Sequence, residues 1–487
     1  MTPITARVPD PRVRRLAATL YGYAFLSELV LLYPVYALLF SDTGLSVWQI
    51  SSLFVIWSAS SILLEVPSGA WADAVSRRLL LCLAPLVSAV AFALWVIVPS
   101  YPAFAVGFVL WGAGGALASG ALEALVFTEL DRLGAAGRYA RTIGRARTAE
   151  TLAVLASIVL AAPVLAAGGY PAVGAASVLA CLLAAAVATR FPEHRTPAPV
   201  SPGPSGAAPV SPAPSGAAPV SPAPSGAAPV SPAPTGPAPL RPAPTPAPSG
   251  VARTDPAATD PPAGATGAAG GPEPEEDDLG WWASLRAGLA EVRADPAVRS
   301  AVLLVAAVTA VWGALDEYTP LLARDTGVAA ETVPLLLLLT WVGVSVGGLL
   351  APAGERLGRR GQAALLAFAG LALAAGALLG RPVGFVLIGL AFCGFQLASV
   401  LAEARLQARI TGPGRATVTS LAGMGTDLTI IVVYAGYGLV ATAAGNGVAF
   451  AVAAAVYPLL AVPLALRGRR RGAPASGRGG RRAAAGR

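Results

Sequence analysis

Apolar windows of about 18 residues or more follow one another along almost the whole chain, separated by short polar stretches and by one long break in the middle. Each is long enough to cross a hydrocarbon core of about 30 Å as a helix. Buried helices of a large soluble protein are usually shorter and alternate with amphipathic ones. The pattern therefore predicts twelve transmembrane helices, over 16–40, 46–68, 79–99, 102–129, 142–168 and 171–190, then 298–323, 331–353, 361–380, 382–408, 416–441 and 445–466. The fold class expected is an all-α polytopic membrane protein made of two parallel six-helix bundles.

The break differs in chemistry. Residues 201–230 carry three near-copies of one decapeptide, SPGPSGAAPV and twice SPAPSGAAPV, followed by a looser SPAPTGPAPL. Proline at this density opposes helix and sheet, so an extended tether without a core is expected. The tether ends in an acidic run, Glu273-Pro274-Glu275-Glu276-Asp277-Asp278. Trp281, Leu285, Leu289 and Val292 then recur at helical spacing, which predicts a short interfacial helix into span seven. The expected organisation is an N-terminal bundle over 1–190, a disordered linker over 191–280, the interfacial helix and second bundle over 281–466, and a tail over 467–487.

The two bundles share a plan. Span one ends in Asp42-Thr43-Gly44 and span seven in Asp325-Thr326-Gly327. Span four carries Ala118-Ser119-Gly120-Ala121-Leu122-Glu123-Ala124, and span ten repeats the frame as Ala398-Ser399-Val400-Leu401-Ala402-Glu403-Ala404. Gly137-Arg138 and Gly414-Arg415 each precede an acid, Glu150 and Asp427, at the same offset. Three matches in register argue for duplication of a six-span unit. An even number of spans makes the halves parallel, related by an axis along the membrane normal.

Composition agrees: 55% of residues are hydrophobic and 12% charged, about half the charge of a typical soluble chain. The formal charge is +8, with 34 basic residues, all arginine. Only Arg324 and Arg381 fall in segments assigned to the far side. The rest sit at the N-terminus, in alternate loops and in the tail, a positive-inside pattern that puts both termini and the linker in the cytoplasm of an inner membrane. That placement argues against nucleic acid as the partner. The first apolar run follows Arg14-Arg15 but contains Glu28 and lacks a small-x-small site, so it reads as a retained span rather than a signal peptide. Cys82, Cys181 and Cys393 are scattered through apolar windows and His194 is the only histidine, so neither a disulfide nor a metal site is expected. No phosphate-binding Gly-x4-Gly-Lys-Ser/Thr loop is present, no cofactor is expected, and the chain does not read as an enzyme.

The loop after span two reads Gly69-Ala70-Trp71-Ala72-Asp73-Ala74-Val75-Ser76-Arg77-Arg78. It resembles the Gly-x3-Asp-Arg/Lys-x-Gly-Arg-Arg/Lys loop of the major facilitator superfamily, with Gly69, Asp73, Arg77 and Arg78 matching and Ala74 and Ser76 departing. A worn second copy follows span eight, Glu355-Arg356-Leu357-Gly358-Arg359-Arg360. The resemblance covers everything but the linker and tails. It implies a secondary transporter and a cytoplasmic latch in which Asp73 meets the start of span eleven while Arg77 and Arg78 pair with Glu123 or Glu129 in span four. Glu355, Arg359, Arg360 and Glu403 are the counterparts in the second half. Two marks of drug/proton antiporters are absent: Phe108 stands where an arginine would, and span five has no Gly-Pro-x2-Gly-Gly.

A carboxylate inside a span costs roughly 2.5–3.5 kcal/mol on insertion scales, so each needs a role. Counting about 1.5 Å per residue, Glu28 lies near the midplane and is the first candidate for proton coupling. Hydrogen bonding to Tyr21 or Tyr23 would be the alternative. Asp316 and Glu317, in the outer half of span seven, come second; neighbours on a helix point about 100° apart, so only one is expected to face a cavity. Asp427 is a further candidate. Tyr33, Trp57, Trp312, Tyr318 and Trp341 are candidate cavity aromatics, with bundle packing as the alternative for each. The expected function is proton-coupled export of a cationic or neutral amphipathic molecule by a monomer, with proton-linked uptake, or a non-transporting sensor or scaffold, as the alternatives.

Overall fold

The computed structural model describes residues 10–194, 286, 289–290, 292–410 and 415–470, with the side chains of 65–74, 415–416 and 467–470 outside that set. Of the linker expected over 191–280, residues 191–194 are described and fold back on the first bundle, so its start moves to about 195; residues 195–280 and most of the tail lie beyond the described residues. Arg286, Leu289, Ala290 and Val292 to Ala294 are helical, part of the stretch predicted as an interfacial helix.

The described residues form twelve spans, in two groups of six. Among the described residues, ten helices are individually long and apolar enough to cross a membrane. One of these, Ala136–Ala188, holds two spans, because the backbone reverses out of the helical region at Gly169 (φ 65°, ψ −163°). A further span is missing from the ten because it is divided: span one is Pro11–Glu28 followed by Tyr36–Asp42. Leucine and valine cover the outer faces; Leu349 is 80% exposed and Val432 69%, which suits lipid rather than water as the surrounding solvent.

Two of the predicted boundaries need correction. Span one was expected to be continuous over 16–40, yet it breaks between Glu28 and Tyr36. Pro34 has no N–H to donate and disfavours helical geometry at Tyr33. The Leu32 N–H freed at the break donates to Ser177 Oγ of span six at 3.0 Å, deep in the protein. Span seven breaks in the same manner, as Pro296–Asp316 and Thr319–Asp325, with Pro320 in the first turn of the second piece. Thr319 Oγ1 donates to the Asp316 carbonyl at 2.6 Å across this break. Irregular backbone at membrane depth is tolerated where it is buried in protein or lines a cavity.

Within each half the packing repeats. In the first half, span four packs on spans two (Val47–Ala74) and three (Arg77–Ile97); in the second, span ten (Gly384–Gln407) packs on spans eight (Val333–Leu349) and nine (Arg359–Leu378). Small residues permit the closest approaches. A Cβ added to Gly343 would lie 2.1 Å from the Gly389 carbonyl oxygen, and one on Gly347 would lie 2.3 Å from that of Cys393. The halves meet where spans two and eleven (Arg415–Ala444), five and eight, and the second pieces of one and seven adjoin.

Candidate functional site

The two Asp-Thr-Gly repeats fold identically. In each, the threonine hydroxyl donates to a carbonyl three residues back, Thr43 to Phe40 at 2.8 Å and Thr326 to Ala323 at 2.6 Å. The glycine then turns the chain with positive φ, 88° at Gly44 and 83° at Gly327, a conformation only glycine adopts freely. Each aspartate is held by the start of its own half's last span. Tyr170 donates to Asp42 Oδ2 at 2.6 Å, and Asn446 Nδ2 donates to Asp325 Oδ2 at 2.8 Å, with Tyr437 donating to Asn446 in turn.

One residue breaks the symmetry. Arg324 reaches across to the other half, its Nη1 2.6 Å from Asp42 Oδ1. Next to the pair, the Tyr318 hydroxyl donates to Ser51 Oγ of span two at 2.8 Å, both side chains being almost fully buried. Phe54 packs edge-on to Tyr318 at 5.2 Å and against Tyr434 of span eleven at 5.3 Å. A Cβ on Gly438 would lie 2.7 Å from Ser51 Oγ. Hydrogen bonds, an ion pair and ring contacts thus join the halves at this end, opposite the chain termini.

Beneath this closed end lies a cavity of about 400 Å³. Glu28, Tyr33, Tyr36, Trp57 and Trp111 line it from the first half, and Asp316, Glu317, Thr319 and Trp341 from the second. The helix breaks explain the convergence. Glu28 ends the first piece of span one and Asp316 ends the first piece of span seven, so the acids stand where helix stops and chain turns inward. Asp316 and Glu317 both line the cavity, where one was expected; they stand at the end of the first piece of span seven, and the second piece starts at Thr319. The Glu28, Asp316 and Glu317 carboxylates form no hydrogen bond or ion pair with a described residue, and no arginine among the described residues lines the cavity.

The opposite wall is aromatic. Trp57 and Trp111 stack at 4.7 Å with 11° between their planes, and Tyr33 stacks on Trp111 at 5.3 Å. Behind them Phe108, fully buried, packs on Trp95 and Trp111, so this position supports the wall rather than presenting a charge. The Tyr36 hydroxyl is buried at the cavity with no hydrogen-bond partner among the described residues.

Other candidates lie elsewhere. Trp312 donates to Ser399 Oγ at 3.1 Å, and Tyr318 is committed to the contact between halves. Asp427, half-buried on span eleven, is not among the lining residues. Tyr23 meets Phe191 edge-on rather than Glu28.

At the end bearing the termini, Gly69 and Asp73 fall where side chains are not described. Arg77 Nη1 reaches span four at Thr128 Oγ1, 3.1 Å. Glu129, almost fully buried, instead takes the His194 ring and backbone N–H, each at 3.0 Å. Glu123 is 3.5 Å from Arg147, and Arg78, Glu355, Arg360 and Glu403 are exposed, with Arg359 half-buried. Glu193, not singled out in the sequence, accepts from the Ser76 hydroxyl and from the Arg77 N–H at 2.6 Å, capping span three. The reason for the different pairing is that the chain after span six folds back over spans three and four.

Trp111 lies one turn beyond Phe108 and two beyond Phe104, a helical aromatic stripe that is legible in the sequence. Asp42 stood in a recognised repeat, with Arg324 beside its copy. Nothing in the sequence marked Tyr170, Ser51 or Asn446.

A family model described as Major Facilitator Superfamily matches residues 18–406. Among solved structures, a nucleoside transporter NupG (D323A mutant) superposes with TM-score 0.64 at 10% identity, covering 92% of this chain and 98% of that one. A bacterial homolog of the human lysosomal transporter Spinster gives 0.61 at 15% identity, covering 95% and 98%. A D-xylose-proton symporter gives 0.57 at 14% identity, covering 93% and 96%. At these identities the likeness is one of fold. No curated protein matches the chain.

Proposed function

We propose that this chain, which belongs to the major facilitator superfamily, is a proton-coupled transporter that exports a cationic or neutral aromatic amphipath by alternating access. The observation that carries the reading is one cavity between the halves in which three unpaired carboxylates face a wall of stacked aromatics. An anion would meet no cation there. A cation would meet negative charge and the faces of Trp57 and Trp111, where cation–π attraction adds about 0.5–2 kcal/mol. The unpartnered Tyr36 hydroxyl offers one directional contact for a polar group of the cargo.

In this reading Glu28 is the coupling carboxyl, with Asp316 and Glu317 in support. A carboxyl facing a cavity that opens to each side in turn can take a proton on one side and release it on the other. The arginine distribution supports cytoplasmic termini, so the closed Asp42–Arg324 end would face outward and the cavity would be loaded from the cytoplasm. Asp73, Arg77 and Arg78, with the acids of spans four and ten, are proposed to close the inner end in the opposite state. Proton-linked uptake is the same-fold alternative.

The test uses inverted and right-side-out vesicles with imposed pH gradients and a panel of cationic and uncharged aromatic dyes. Glu28→Gln should abolish gradient-driven accumulation and leave dye exchange without a gradient intact. Coupling that survives the substitution removes Glu28 from the mechanism, and the gradient sign that drives flux decides between export and uptake.

A further inference from the structure

A second cavity, of about 420 Å³, lies at the end bearing the termini and entirely within the second half. It is framed by the starts of spans seven and nine and the ends of spans ten and twelve. Arg359, Arg405 and Arg409 line it, all half-buried, and among the described residues no acid lines it with them. Arg405 and Arg409 are each steadied by a carbonyl, those of Leu357 at 2.8 Å and Ala297 at 3.1 Å. Asp295 sits beside the mouth, its carboxylate occupied in capping the Ala297 N–H at 2.6 Å. Gln362 projects into the cavity 2% exposed, and its Oε1 is buried without a donor. Below the arginines the wall turns apolar, with Leu303, 63% exposed, and Leu464.

The first half differs at this end. There the chain leaving span six folds over the corresponding place: Phe191 is buried, Glu193 caps span three, and His194 holds Glu129. In the second half the sequence after span twelve is arginine-rich and offers the wrong charge to an arginine-lined site.

We infer that this cavity binds an anionic phospholipid whose headgroup carries hydroxyls, of the phosphatidylglycerol type. The phosphodiester answers the three guanidinium groups, which bind phosphate through directed donors. A headgroup hydroxyl supplies the donor that Gln362 Oε1 lacks, and the acyl chains continue along Leu303 and Leu464. The acidic run at 273–278 also complements the arginines in charge. Carboxylates, however, only accept hydrogen bonds and would leave Oε1 unsatisfied, and they have no use for an apolar wall.

The test is native mass spectrometry of the full chain carried in lipid mixtures. The intact protein should retain one phosphatidylglycerol in preference to phosphatidylcholine by roughly tenfold. The double variant Arg359→Gln, Arg409→Gln should lose that preference. Gln362→Leu should keep the charge preference but lose discrimination between phosphatidylglycerol and phosphatidylmethanol, which has the same phosphodiester without hydroxyls. Thermal melting checks that each variant is folded; should the double variant fail to fold, Gln362→Leu decides by itself. Equal retention of the charged and zwitterionic lipids would overturn the proposal. So would displacement of the lipid by millimolar inorganic phosphate, or tighter lipid retention once the acids of 273–278 are neutralised, which would make the chain's own acidic segment the occupant.

Discussion

Arg324 Nη1 lies 2.6 Å from Asp42 Oδ1, joining the end of span seven to the end of span one across the two halves. Both side chains are about a third exposed, 39% and 32%, so the pair is screened and is worth at most about 1 kcal/mol. Its importance lies in position, because it opposes separation of the halves at this end.

Replacing Arg324 by Gln should shift the population toward an opened far end by roughly 1.5- to 5-fold, the range such an exposed pair commands. A cysteine at the cavity residue Leu337, in a chain without its native cysteines, reports this through alkylation by an impermeant maleimide added at that end. Asp42→Asn should act in the same direction and add little to Arg324→Gln. An unchanged rate in both variants would show that the pair does not hold the end closed.

Gly438→Ala should act more strongly. Its new Cβ would stand 2.7 Å from Ser51 Oγ and 3.0 Å from the Trp48 ring, so spans two and eleven must move apart. Transport should fall severely while the helical circular dichroism stays native. Tyr318→Phe removes the hydroxyl that pairs with Ser51; it should cost the closed state about 1 kcal/mol and raise Leu337→Cys alkylation without abolishing transport.

Ser177→Ala should loosen the break in span one. The Leu32 N–H would lose its acceptor at a buried site, at a cost of about 1–3 kcal/mol. Hydrogen exchange should quicken around residues 29–35 and remain unchanged in span seven, whose break has no such partner from span six.

Gly343→Ala should destabilise the second half. The added methyl would fall 2.1 Å from the Gly389 carbonyl oxygen, and overpacking of this kind typically costs about 1–3 kcal/mol. A lowered thermal midpoint in detergent checks it. Gly348→Ala, where a Cβ meets nothing within 4 Å, should melt like the parent protein.

Much of the fold was readable because a bilayer demands long apolar helices, and a chain that lacks them cannot satisfy its backbone there. The duplicated Asp-Thr-Gly and Ala-Ser frames gave the two halves, and an acid within an apolar run announced Glu28, Asp316 and Glu317. The latch pairs were not readable. Whether Glu129 meets Arg77 or His194 depends on where the chain goes after span six, and helical spacing carries no such information.

The sequence by itself determined the twelve spans, their parallel duplication and the acids that had to be sheltered, since burial in lipid constrains each segment locally. The tertiary structure decided which residues meet. It stacked Trp111 on Trp57, turned both Asp316 and Glu317 into one cavity by breaking span seven, and brought Arg324 onto an aspartate 282 positions earlier in the chain. Contacts of that range arise only when two bundles close on each other, and here they closed at the end marked by Asp42.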